Sequence, residues 1–311
     1  MTRIAPTPAL ARLRGQFPPA GATRVLVHRG TCGDAVGAPQ VLDALRGAIT
    51  SHPVVEAACD GACWAAPSAT VQREGHAHRF ARLDRGIPDE LARCLAGDCA
   101  DDYAGRGETG ITNRLGRTNS TFEDAIARGA YAALARAYAI APEAVIEAVD
   151  AVALSGRGGA HFPTAQKWRL VAKHGGQKYL VVNAEEGEPG VFKDRHLIEG
   201  DPHRLIEGVL IACRAAGIDT AFIYVNGQAR KARAALDAAL AEAETHGILD
   251  GSALGGAPVA IEVRSGAGGY VCGEESVILN SIEGNRPVPR FKPPFATDAG
   301  LWGRPTVINN V

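Results

Sequence analysis

The stretch "SGRGGAHFPTAQKW", Ser155 to Trp168, crowds Gly156, Gly158 and Gly159 around Arg157, then sets an aromatic-proline pair and Lys167 behind them. Glycines without a Cβ let backbone amides approach a flat or anionic ligand, and the arginine and lysine supply positive charge for a phosphate. The dinucleotide fingerprint G-x-G-x-x-G is not met, because its last glycine would fall on His161 and the loop follows a helix-like segment. No G-x-x-x-x-G-K-S/T string occurs either, so the common machinery for ATP or GTP hydrolysis is missing. The glycines alone leave a second reading open, a tight turn capping a helix.

Two further stretches concentrate acid beside glycine. "NAEEGEPGVFKDR", Asn183 to Arg195, places Glu185, Glu186 and Glu188 within four positions at the end of an apolar run. Carboxylates so close repel one another unless they are solvated or face donors, and they can accept from amide, imide or ribose groups. Plain surface acidity is the other reading. "GAGGYVCGEESVILNSIEG", Gly266 to Gly284, again puts glycines before an aromatic residue, Tyr270, and then sets Glu274 and Glu275 at the opening of an apolar helix. Acids there also serve simply as partners of the helix dipole.

The elements that must position these residues follow from periodicity. "KYLVVNA", "TAFIYVNG" and "APVAIEVRSG" read as strands, and "DPHRLIEGVLIACRAAG" and "QARKARAALDAALAEAETHG" as the helices between them. Asp201 is the expected cap of the first helix, Pro202 its first residue and Gly217 its stop. Such a βαβαβ order predicts a parallel sheet covered by helices, with ligands at the carboxyl ends of the strands. Upstream, "STFEDAIARGAYAALARAYAI" and "APEAVIEAVDAV" have helical spacing, with Thr121 capping the first and Pro142 opening the second.

The first hundred residues form a separate pattern. "TRVLVHRG", "VVEAAC", "SATVQREG" and "HAHRFARL" read as strands, "PQVLDALRGAIT" and "PDELARCLAG" as helices, and "DDYAGRGETGITNRLGR" as an exposed linker. With 311 residues, 46% hydrophobic and 22% charged, the chain can fill two ordinary cores. It has no apolar run long enough to span a bilayer. A formal charge of −1 without a clustered basic face argues against nucleic acid as a partner. The N-terminus "MTRIAPTPALARLRGQFPPAG" lacks a continuous apolar core, so no secretory signal is expected and the protein is expected in the cytoplasm. Its seven cysteines, Cys32, Cys59, Cys63, Cys94, Cys99, Cys213 and Cys272, are then expected as thiols or metal ligands rather than disulfides. Cys213 lies on an apolar helix face and is expected in the core.

Taken together, "GRGGAHFPTAQKW", "NAEEGEPGVFKDRHLIEGDPHRLIEG", "GAGGYVCGEESVILNSIEGNRPVPRFKPPF" and "GLWGRPTVINNV" closely resemble the NADH-oxidising flavoprotein subunit of respiratory complex I. The same module occurs in the diaphorase of NAD-reducing hydrogenases and in the β subunit of NAD-dependent formate dehydrogenases. The resemblance covers about residues 121–311 and implies an α/β fold with a Rossmann-like parallel sheet that binds FMN and NAD(H). It implies FMN contacts at Gly156, Arg157, Gly158, Gly159, Lys167 (the phosphate end), Asn183, Glu185, Glu186, Tyr270, Gly273, Glu274, Asn309 and Asn310. For NADH it points to Phe162, Glu188, Glu275, Lys292 and Phe295. The chemistry is then the cofactor's, hydride passing from nicotinamide C4 to flavin N5, and no catalytic acid, base or nucleophile is expected. Glu185 stands where the family has aspartate, and His161 where it has glycine. The family continues beyond the position of Val311 into a ubiquitin-like segment and a helical bundle holding a [4Fe–4S] cluster, whose ligands this sequence does not contain.

Residues 1–100 resemble the thioredoxin-like [2Fe–2S] ferredoxin domain that accompanies this module in related diaphorases, joined by a linker over 101–120. That cluster needs four ligands from two loops. Cys59 and Cys63 supply one intact pair, whereas Cys32 has only His28 before it and Gly37 after it, so a degenerate Cys32, Cys59, Cys63 and His28 site is the expectation. Cys94 and Cys99 are candidate substitutes, or buried bystanders. The implied activity is an NADH dehydrogenase (diaphorase) module that exchanges electrons with the iron-sulfur and catalytic subunits of a soluble formate dehydrogenase, hydrogenase or complex I-like assembly. It would lie in the cytoplasm or attach peripherally to a membrane complex, without inserting. The alternative is a truncated, non-catalytic assembly subunit that retains the fold.

Overall fold

The structure is a computed structural model that describes residues 7–16, 23–59, 65–73, 76–83, 88–98 and 121–311. In chain order, α1 (Pro8–Arg14) precedes β1 (Arg24–Arg29), α2 (Thr31–Ala35), α3 (Ala38–Ala48), β2 (Val54–Ala58), β3 (Ala69–Arg73), β4 (His76–Phe80), α4 (Asp89–Ala96) and α5 (Phe122–Ala127). Then come α6 (Ala132–Tyr138), α7 (Pro142–Ala151), α8 (Thr164–Ala172), β5 (Tyr179–Ala184), α9 (Lys193–Gly200), α10 (Pro202–Ala216) and β6 (Thr220–Val225). The chain closes with α11 (Arg230–Thr245), β7 (Ala260–Ser265), a 3-10 turn (Tyr270–Gly273), α12 (Glu275–Ile282), α13 (Ala296–Ala299) and β8 (Thr306–Asn310). Two compact units result. One holds Phe17–Arg128 with Glu199–Asp201, and the other holds Met1–Gln16, Gly129–Ile198 and Pro202–Val311.

In the first unit the strands lie in the order β2-β1-β3-β4, with β1 parallel to β2 and antiparallel to β3, and β3 antiparallel to β4. Val41, Leu42 and Leu45 recur at helical spacing on α3 and bury one face of it against Val25 and Val27 of β1. The unpredicted α2 is a single turn between β1 and α3, ended by Gly37 in the left-handed region at φ 103°.

In the second unit the order is β7-β6-β5-β8, and every pairing is parallel. β5 and β6 are almost continuously buried, because α10 packs against them while α12 joins the cluster of Val181, Phe222, Tyr224 and Ile308. Charged Glu262 and Arg264 pair on edge strand β7, which discourages pairing with another chain. β8 was not foreseen as a strand. It is short and ends in two asparagines, and its partner β5 lies far back in the chain, so only the tertiary fold pairs Tyr179 with Thr306. Fully buried Thr306 anchors it: its hydroxyl accepts from Leu301 N and donates to Arg304 O, both at 2.9 Å.

The helix expected over 121–140 is broken. Thr121 caps α5 as predicted, accepting from Asp124 N, but Gly129 turns left-handed at φ 94° and Tyr131 at φ 61°. A positive φ costs a non-glycine residue about 1–2 kcal/mol. Burial of the Tyr131 ring and its 2.8 Å hydrogen bond to His203 Nδ1 offset it. Pro142 begins α7 and Gly217 follows α10 at φ 65°, as expected.

Candidate functional site

The three stretches singled out in the sequence meet in one cleft of about 860 Å³ at the carboxyl ends of β5 and β8. Its first wall is the loop between α7 and α8, not a strand-end loop. Ser155 bridges Pro163, Gly156 N donates to Phe162 O at 2.8 Å, and Thr164 N donates to Leu154 O at 2.9 Å, so the glycines protrude from a closed neck. A Cβ on Gly158 would stand 2.7 Å from Asn310 Oδ1, and this is where the missing side chain matters most. His161, at the position of the expected family glycine, takes a left-handed φ of 51°. That backbone is one a glycine adopts freely and a histidine only under strain. Lys167, on α8, reaches across to donate from Nζ to Ile308 O at 2.6 Å. Burial holds its ammonium below its ordinary pKa, with Glu275 opposing the shift.

The second wall leaves β5. Asn183 Nδ2 donates to Gly273 O at 2.9 Å and its Oδ1 accepts from Glu185 N at 3.1 Å, which ties the strand end to the 3-10 turn. Glu186 spreads its carboxylate over the opening of α9, accepting from Asp194 N and Arg195 N. Gly187 lies so close to Gly269 O and Tyr270 Cα that a Cβ would meet both at 3.1 Å. Burial raises the Asp194 carboxyl above its usual range, though Lys193 counters it.

The third wall is the opening of α12. Glu274 is its N-cap, accepting from Ser276 N at 2.8 Å and Val277 N at 3.0 Å. Lys292 bridges both acids, 3.2 Å from Glu274 Oε1 and hydrogen-bonded to Glu275. Burial works against its charge, but the two acids prevail and hold it above its ordinary pKa. Tyr270, 73% exposed, stands at the rim.

Of the residues implied as FMN contacts, all but Asn309 line this cleft, as do Phe162, Glu188, Glu275 and Lys292 of the NADH set. Asn309 is turned the other way by strand alternation and accepts from Trp168 Nε1 at 3.4 Å. Phe295 caps α13, half-exposed and outside the cleft. Lys193, Asp194 and Val191 also line it without having been expected there, although they stand in the quoted "EEGEPGVFKDR". Two partners carried no sequence signal: Asn226, a loop amide whose Nδ2 donates to Glu185 Oε1, and Ile308 O, a backbone atom that accepts from Lys167.

Only part of the candidate cysteine set of the first unit lies among the described residues. His28 is buried in β1, with Nε2 2.8 Å from Thr70 Oγ1 and Nδ1 3.3 Å from Ala58 O. Both ring nitrogens have partners within the core. Cys32 is exposed, Cys59 is half-buried, and Cys63 lies outside the described residues, as does Cys99. Among the described residues no group of three or more His, Cys, Asp or Glu side chains is placed to hold a metal. Cys94 is disulfide-bonded and fully buried in the apolar cluster, against the expectation of thiols or metal ligands rather than disulfides. Cys213 is core, as expected, and burial pushes its thiol well above the usual range.

A flat ring system with an anionic tail fits the second unit's cleft. Its walls include Gly158 and Gly187, where a Cβ would crowd its neighbours, a half-buried lysine, and a carboxyl oxygen, Glu185 Oε2, sealed without a partner. The comparisons agree with that shape. The Nuo51 FMN-binding domain family matches residues 149–311. An NADH-quinone oxidoreductase subunit of Aquifex aeolicus (strain VF5) is 47% identical over 184 residues, 59% of this chain and 43% of that protein. Its counterpart in Rhizobium meliloti (strain 1021) is 47% identical over 199 residues, 63% of this chain and 47% of that one. A crystal structure of NAD+-reducing [NiFe]-hydrogenase in the H2-reduced state is similar with a TM-score of 0.56 and 29% identity, covering 97% of this chain and 53% of that chain. The chain thus spans about half the length of the relatives it matches. Among the described residues, no helix is long and apolar enough to cross a membrane.

Proposed function

The chain belongs to the Nuo51 FMN-binding domain family, and from that premise we propose that it is the FMN- and NADH-binding module of a multi-subunit NADH dehydrogenase or diaphorase. The observation that carries this reading is the convergence of the glycine loop, the Asn183–Glu188 acids and the Tyr270–Glu275 turn on one cleft at strand ends. When bound there, FMN supplies hydride exchange with a nicotinamide ring.

The chain's own residues bind and orient. Gly156, Arg157, Gly158 and Gly159 offer backbone and charge along the ring. Lys167 holds the anionic end. Asn183, Glu185, Glu186, Tyr270, Gly273, Glu274 and Asn310 surround the rest. Phe162, Glu188, Glu275 and Lys292 receive NADH, and the acids disfavour a 2′-phosphate through like-charge repulsion. Asn309 acts indirectly by holding Trp168. No side chain needs to take or give a proton at the reacting carbon, so alignment is the protein's contribution.

In this reading the iron-sulfur centres of partner subunits in a formate dehydrogenase, hydrogenase or complex I-like assembly would accept the electrons, at a cytoplasmic or peripheral membrane location. The one parallel and two antiparallel pairings of the β2-β1-β3-β4 sheet support a thioredoxin-like first unit. The test is an anaerobic visible spectrum of the purified chain with FMN, before and after NADH. A bound-flavin band near roughly 450 nm that bleaches with NADH supports the dehydrogenase. Absence of bound flavin would leave the chain a scaffold.

A further inference from the structure

Glu185 lines the cleft yet is only 7% exposed, because its arm, one methylene longer than aspartate, passes behind the wall at the strand ends. There Oε1 accepts from Asn226 Nδ2 at 2.7 Å. Oε2 is sealed from solvent with no hydrogen-bond partner, and it occupies the room a Cβ on Gly266 would need, 2.3 Å away. The groups around the carboxyl are neutral. They are Asn226 and the Tyr224 phenol from the β6 end, the backbone of Gly266 after β7, and Gly273 of the 3-10 turn beneath the Glu185 carbonyl. The Cys272 thiol lies behind Tyr224, whose phenol burial raises above its ordinary pKa. A carboxylate in that position would spread its charge over two oxygens with a single amide donor to receive it. A carboxylic acid needs only that donor on its carbonyl oxygen.

We propose that Glu185 stands in the cleft wall as a neutral carboxylic acid and that its ionisation opposes the binding of an anionic mononucleotide, making it a positioning residue that ties ligand affinity to pH. This rests on the reading of the cleft as an FMN site. Burial raises the carboxyl to about 7, with the Asn226 hydrogen bond opposing the shift. The cleft sets Arg157, Lys167, Lys193 and Lys292 against Glu186, Glu188, Asp194, Glu274 and Glu275, so a further buried negative charge weakens the attraction an incoming phosphate meets. An anionic ligand therefore raises the Glu185 pKa further. Affinity is level while the acid is protonated in both states and falls as pH rises through the value of the ligand-free protein. If ligand binding raises that pKa by one unit, affinity becomes about tenfold weaker above both values.

Two measurements decide it. Infrared spectra of the chain alone should show a protonated carboxyl band that fades as pH rises through about 7 and is missing in Glu185→Gln. FMN fluorescence quenching, titrated from acid to alkaline pH, should give wild-type affinity about tenfold weaker at the alkaline end, against a flatter profile in Glu185→Gln. A missing infrared band overturns the neutral acid. Equal pH slopes in the two proteins overturn the link to the ligand. If neither protein binds FMN at any pH, the functional reading falls and takes the link with it, whereas the infrared result still stands for the carboxyl.

Discussion

Replacing Gly158 with alanine separates a ligand-bearing loop from a merely structural turn. The new Cβ would lie 2.7 Å from Asn310 Oδ1, about 0.7 Å inside the 3.4 Å edge of ordinary contact. The atom it meets is the end of a half-buried side chain at the last residue of β8, not backbone, so the carboxamide rotates aside and the fold survives. The loop keeps its neck, because the Gly156–Phe162 and Thr164–Leu154 bonds do not involve the new methyl group. Within the cleft, however, both the methyl group and the displaced carboxamide intrude where a flat ring would lie. Overpacking of this kind costs about 1–2 kcal/mol, which is roughly a five- to thirtyfold weaker FMN affinity. Fluorescence quenching titrates that affinity, and thermal unfolding without FMN reports the fold. An affinity within twofold of wild type with unchanged unfolding would refute the placement of the ligand against this loop. A large fall in unfolding temperature together with lost binding would instead make the glycines structural.

His161→Gly releases the strained φ of 51° but loosens the unfolded chain, so a net gain of up to about 1 kcal/mol is expected in denaturant unfolding. Lys167→Met removes a charged donor from Ile308 O, and FMN binding should weaken about tenfold or more and lose part of its salt dependence. His28 is held neutral: burial lowers its pKa from 6.5 to about 4, the backbone bond to Ala58 opposing. The unfolded chain therefore binds the extra proton, and stability present above pH 6.5 is lost as pH falls toward about 4, amounting to about 3 kcal/mol. Denaturant unfolding of the wild type should show that loss and His28→Gln should not, while iron uptake on reconstitution is the same in both. A drop in bound iron on His28→Gln would restore the histidine as a ligand.

Most of the regular elements were legible because their signals are local. The short β-branched runs in "TRVLVHRG" and "SATVQREG" mark strands, and the apolar runs "YLVVNA" and "TAFIYV" mark strands covered on both faces. The break at Gly129 was missed because helical spacing continues through it, and only the pairing of Tyr131 with His203 selects the turn. β8 was missed for a related reason, since a short strand ending in Asn309 and Asn310 is defined by its neighbour β5. In the site, glycines, acids and basic residues were visible by type. What Glu186 and Glu274 do with their oxygens was not, because their partners are backbone amides at two helix openings.

By itself, then, the sequence determined the α/β order, the glycine loop and the residue types that line the cleft, all of which depend on side-chain chemistry and short-range periodicity. The tertiary structure decided which of those residues face inward together. Strand register turns Asn310 toward Gly158 and Asn309 toward Trp168, two adjacent and chemically identical side chains sent to opposite faces. It also decided which acid of "NAEEGE" is sealed from solvent: burial behind Gly266 raises the Glu185 carboxyl above its ordinary range. The same holds for His28, whose sequence neighbourhood suggested a ligand and whose place in β1 makes it part of the core.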